Sequence, residues 1–92
     1  MKTIRMNSGI EISVDEKVGD DIELLDDMIA TDEGDPLALS RLCTKLLGKE
    51  EKKKLYDSIR EKDGRVPVTA VVPAIVEILA KMGKTEEDGK NS

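Results

Sequence analysis

"DEGDPLALSRLCTKLLG", residues 32–48, decides how the chain is divided. Gly34 suits the left-handed residue that ends a helix, because it lacks the Cβ that makes positive φ costly. Asp35 stands where it can cap the next helix. Pro36 follows at the first helical position, where a missing N–H costs nothing. Leu39, Leu42, Cys43, Leu46 and Leu47 then recur at the i, i+3, i+4, i+7 spacing of a helix lying on a core, with Arg41 and Lys45 on the other side. Gly48 closes that helix. The stretch is a helix end, a joint and a helix start.

On the N-terminal side, "TIRMNSGIEISV" (3–14) predicts a β-hairpin: Ile4 and Met6, then Ile10, Ile12 and Val14, alternate with polar neighbours around the turn residues Asn7-Ser8-Gly9. Two strands alone are marginal, so the hairpin must lay its apolar face on helices. "GDDIELLDDMIATDEG" (19–34) predicts a helix capped by Asp20 with Glu23 three residues on, Ile22, Leu25, Met28 and Ile29 facing inward, and Glu23, Asp26 and Asp27 facing out.

Beyond the joint, "KEEKKKLYDSIREKDG" (49–64) predicts a third helix with Leu55, Tyr56 and Ile59 inside, an acidic first turn, Glu50 paired with Lys54, and Gly64 at its end. "RVPV" (65–68) must run extended. Thr69 is expected to cap a fourth helix ending near Gly83. Pro73 counts against a clean helix there, but Val71, Val72, Ile75, Val76, Leu79 and Met82 keep helical spacing. The fold class is therefore α+β: one small domain over residues 1–83, an N-terminal β-hairpin packed on about four short helices, with residues 84–92 expected as a disordered polar tail.

A chain of 92 residues buries only about 60–65% of its unfolded surface, and with Tyr56 as the sole aromatic residue its core must be aliphatic. One cysteine excludes an intramolecular disulfide. The alternating start lacks the apolar run of a signal peptide. "VPVTAVVPAIVEILA" (66–80) is too short and too interrupted to span a bilayer. These features lead to the expectation of a soluble cytoplasmic protein without membrane contact.

The chain contains no histidine, which removes the commonest general base and metal ligand. Cys43 lies among leucines and reads as a buried structural thiol. A calcium loop needs acids at its first, third and fifth positions and glycine at its sixth. Setting Gly19, Gly34 or Gly64 sixth puts Val14, Ile29 or Ile59 first, so all three fail. No glycine-rich loop leads from a strand into a helix. The expectation is a non-enzyme with no cofactor and no metal.

Charge is unevenly placed. Residues 1–35 carry three Lys/Arg against eleven Asp/Glu, a balance of −8, and residues 36–92 carry twelve against nine, +3, giving −5 in all. This polarity favours electrostatically guided contact with another protein, or head-to-tail self-association into a homo-oligomer. With "KEEKKK" the only basic run and no aromatic platform, nucleic acid is disfavoured as a partner. The alternative function from another class is a small regulatory adaptor, antitoxin-like or transcription-associated, using a basic helical patch of Arg41, Lys45, Lys49, Lys52 and Lys53.

One feature exceeds what a small core requires. On a helical wheel Val71, Val72, Ile75, Val76, Ile78, Leu79 and Met82 cover an arc of about 160°. Either this helix is surrounded by the rest of the domain, or part of the arc meets another chain. Val72, Val76, Ile78 and Leu79, with Arg41 and Lys45, are accordingly the candidate partner-binding residues.

In order, "KTIRMNSGIEISV", "DDIELLDDM", "GDPLALSRLCTKLLGKEEKKKLYDSI" and "REKDGRVPVTAVVPAIVEIL" together resemble the small tail assembly chaperones of long-tailed phages and prophages of Gram-positive bacteria. The likeness runs to about Met82 and is most telling in "GDPLAL…LLG…K.LY" and "DGRVPV". It implies a protein that binds the long tape measure protein, keeps it soluble and helps recruit tail-tube subunits. It further implies action in the host bacterial cytoplasm, absence from the mature virion, and a shorter form beside a longer frameshifted product. The family has no catalytic motif, so the resemblance supplies no site residue.

Overall fold

The computed structural model describes the backbone of residues 1–91 and the side chains of residues 1–83; the last helix, expected to end near Gly83 before a disordered tail over 84–92, instead continues to Asn91. The element order is β1 (Lys2–Arg5), β2 (Glu11–Val14), a 3₁₀ turn (Glu16–Asp20), α1 (Ile22–Asp32), α2 (Pro36–Ile59) and α3 (Val68–Asn91). The coarse expectation of α+β holds, with three helices in place of four.

The difference in count lies at Gly48. Its backbone (φ 75°, ψ 173°) is non-helical, in a region essentially closed to residues with a Cβ, so α2 is two arms joined at a kink. The leucine-rich arm and the lysine-rich arm are the two helices expected there, run together. The second arm stops at Ile59, earlier than expected. Arg60 caps it, and Glu61–Gly64 forms a separate turn closed by Gly64 N–H donating to the Glu61 carbonyl at 2.9 Å. Lys54 pairs with Glu51 and not with Glu50.

The joint at 32–39 is built as its residues suggest. Gly34 (φ +99°) donates to the Thr31 carbonyl, and Asp35 to the Ala30 carbonyl, each at 3.0 Å. This is the two-bond closure that satisfies the last carbonyls of a helix. The Asp35 carboxylate then accepts from Leu37 N–H at 3.0 Å. At the start of α1 the cap is Asp21, whose carboxylate accepts from Glu23 N–H, and not Asp20. Likewise α3 begins at Val68, before Thr69, with the Pro67 carbonyl accepting from Ala70 and Val71. Pro73 lies within α3, at the cost of one backbone bond.

The strands pair antiparallel with Ile4 opposite Ile12. Gly9 (φ +104°) closes the turn by donating to the Met6 carbonyl at 2.8 Å. A hairpin leaves two open edges, and both are met by side chains from the helices. Glu51 accepts from Ser13 N–H at 2.6 Å and Lys54 donates to the Glu11 carbonyl, while Lys81 donates to the Arg5 carbonyl at 2.6 Å. Glu77 accepts from Asn7 N–H at 2.6 Å and pairs with Lys81 at 2.7 Å, fixing the hairpin turn to α3.

The hairpin's inner face (Ile4, Met6, Ile12, Val14) meets Leu39, Leu42, Cys43, Leu46, Leu47 and Leu55 of α2 and Val71, Ile75 and Ile78 of α3. α2 is the centre, and α1 and α3 each lean on it while scarcely touching one another. Burial holds the Cys43 thiol above its usual pKa, and burial together with Cys43 pushes the Tyr56 phenol up to about 12.

A candidate docking groove between α1 and α3

The face that α1 turns to the core differs from the one its apolar spacing suggests. Leu24 and Asp27 are buried, with Met28 and Thr31 half-buried beside them, an i, i+3, i+4, i+7 set. Ile22 (68% exposed), Leu25 and Ile29 (59%) face away from the core. That core-facing side carries an ion-pair cluster. Asp27, only 6% exposed, meets two cations one turn apart on α2: Arg41 Nε at 3.2 Å from Oδ1, and Lys45 Nζ at 3.0 Å from Oδ2. The Lys45 ammonium, and after it the Arg41 guanidinium, hold the Asp27 carboxyl below the usual carboxylate range against the opposing effect of desolvation. Asp27 in turn raises Lys45. With this carboxylate facing α2, Ile22, Leu25 and Ile29 stand on the outer side of α1, while Met28 packs against the core.

The 160° arc of α3 is divided. Val71, Ile75 and Ile78 form its buried half; Val72, Leu79 and Val76 (58% exposed) stand beside it on the side toward α1. Because α1 and α3 are spaced by the helix beneath them, an apolar groove of about 620 Å³ opens between them. Its floor is Leu39, Leu42 and Ile75, one wall is Met28 and Ile29, and the other is Val72, Val76 and Leu79. Through Met28 and Leu79 it continues into a second depression of about 780 Å³ lined by Leu24, Leu25 and Met82. Acidic side chains stand along the lining, Asp32 and Glu33 at one end and Glu16 and Asp20 at the other.

Of the six candidate partner-binding residues, the structure gathers Val72, Val76 and Leu79 in this groove. Ile78 is a correction: at 0% exposure it is core, turned toward the hairpin and α2, and no partner reaches it. Arg41 and Lys45 are also not an open basic patch, since both are committed to Asp27. The proposed patch is further reduced by Lys52, which donates to Thr44 Oγ1 at 2.9 Å and lies over the Tyr56 ring, and by Lys53, paired with Asp57 at 2.8 Å.

The residues sequence reasoning missed are Leu25 and Ile29 as groove residues and Asp32 and Glu33 as its charged rim. A signal was available: α1 carries Ile22, Leu24, Leu25, Met28 and Ile29, more apolar side chains than one face of an eleven-residue helix can bury. Among the described residues no three metal-ligating side chains gather, and no helix is long and apolar enough to cross a membrane. In comparisons with family models, curated proteins and solved structures, nothing matches this chain.

Proposed function

We propose that the protein is a tail assembly chaperone of the kind found in long-tailed phages and prophages of Gram-positive bacteria. It holds apolar helical segments of the tape measure protein, keeps them soluble and helps recruit tail-tube subunits, in the host cytoplasm and outside the finished virion. The observation that carries this reading is the groove between α1 and α3. Ile29 and Val76 are both more than half exposed and line the groove from α1 and α3 respectively. Isolated exposed apolar residues are ordinary, but two facing stripes over a leucine floor form a continuous surface of the kind that receives a helix. The sequence pattern over residues 2–82 supports the family, and the charged remainder of the surface suits a protein that must keep an apolar client in solution.

The role is non-catalytic: binding replaces contacts that the client would otherwise make with other copies of itself. The adaptor reading has less support, because the basic residues it needs are largely paired within the fold. Co-expression with a tape measure protein of such a phage tests the proposal. The expected result is a soluble, co-purifying complex. A client that stays insoluble, or that separates cleanly from this protein, overturns it.

A further inference from the structure

We infer that the groove selects a basic amphipathic helix of about three turns: an apolar stripe flanked by Lys or Arg. The inference rests on the groove being the client site proposed above and adds the chemistry of what enters it. Length follows from α1, whose eleven residues at ~1.5 Å each give a wall of about 16 Å. Charge follows from the lining. Asp32 and Glu33 stand at one end, Glu16 and Asp20 at the other, and Lys2 is the one cation lining either depression among the described residues. On the α3 side the charged residues Glu77 and Lys81 are engaged with each other and with the hairpin, so the acids of α1 and the 3₁₀ turn set the sign of the rim.

The same charges argue against the other occupants. A second copy docking through this face would bring Asp32 and Glu33 toward an equally acidic rim, a like-charge contact that disfavours association. Residues 84–92, "KTEEDGKNS", contain no apolar side chain to fill the groove. A helix with lysines or arginines beside its apolar stripe meets both requirements, since its stripe covers Ile29, Val72 and Val76 and its cations reach the rim.

The test uses the full chain and two synthetic helical peptides of about fourteen residues, a little longer than the wall. They share one leucine stripe at i, i+3, i+7 and i+10 and differ only in carrying Lys or Glu beside it; binding is read by fluorescence anisotropy. The Lys peptide is expected to bind roughly tenfold more tightly at low salt, with the gap narrowing as salt screens the rim. Asp32→Lys with Glu33→Lys should reverse the preference. Val76→Asp and, separately, Ile29→Asp should abolish binding of both peptides with the far-ultraviolet circular dichroism unchanged, while Leu37→Asp, exposed but outside the groove, should not alter it. Equal binding of the two peptides, binding of neither, or binding that survives both groove variants overturns the inference. Equal binding alongside a soluble client complex would reject the charge selection alone. Selective peptide binding with no client complex would reject the chaperone role alone.

Discussion

Val76 and Ile78 stand two residues apart on α3, and truncating each to alanine should give opposite outcomes. Ile78 is 0% exposed, so Ile78→Ala removes three carbons from a packed interior. At ~0.8 kcal/mol per methylene the transfer loss is about 2.4 kcal/mol, and the cavity left behind brings the total to about 3–4 kcal/mol. A domain of this size has only about 5–10 kcal/mol in hand, so the melting temperature should fall by about 15–25 °C. Val76→Ala removes two carbons from a side chain already 58% exposed. The loss is about 0.7 kcal/mol, and the better helix preference of alanine returns about 0.5, leaving a net change near zero. Urea unfolding followed by far-ultraviolet circular dichroism, with the m-value as a check on two-state behaviour, measures both. Equal costs at the two positions would mean that α3 is enclosed on all sides in solution, and the groove would not exist.

Gly48→Ala should destabilise by about 1–3 kcal/mol, read as a lower urea midpoint, because the kink needs φ 75° and ψ 173° although the space around a new Cβ is open. An unchanged midpoint would mean that the two arms of α2 do not meet at that angle. Asp27→Asn should be less stable than the parent at neutral pH. The folded pKa of Asp27 is depressed, so its contribution is present above the ordinary carboxylate pKa of about 3.9 and fades as pH falls through the lower folded value. The difference between the two proteins should therefore shrink in acid, and a gap independent of pH would refute the clamp. Cys43 should resist a thiol reagent in the native state and react at the unfolding rate, since it is fully buried and its pKa is raised; fast native labelling would contradict that packing.

How far the sequence alone carries can be judged from four elements. The joint at 32–39 was legible because each residue there acts through local backbone chemistry: Gly34 through its permitted φ, Asp35 through a carboxylate two residues from the amide it caps, and Pro36 through a missing donor. The hairpin was legible because strand alternation and turn chemistry agree. The orientation of α1 was not. Periodicity assigns apolar residues inward and carboxylates outward, whereas Asp27 is held inward by Arg41 and Lys45, fourteen and eighteen residues along the chain. No local pattern announces that pairing, although two cations at i, i+4 beside a leucine stripe are a geometry a carboxylate can use. The arc of α3 leaves open whether the helix is surrounded or meets another chain; which half is buried depends on where the hairpin lies, so Ile78, a candidate partner-binding residue by its spacing, proves to be core.

That groove is the centre of the functional account, and site-specific photo-crosslinking tests it most directly. A photoreactive residue is placed in turn at positions 29, 76 and 37 of the full chain, in cells that also express the proposed client, a tape measure protein. Ile29 and Val76 line the groove, whereas Leu37 is as exposed but lies on α2 outside it. Adducts with the tape measure protein from positions 29 and 76, and none from 37, are the predicted result. Adducts from 37 alone, or equally from all three, would contradict it.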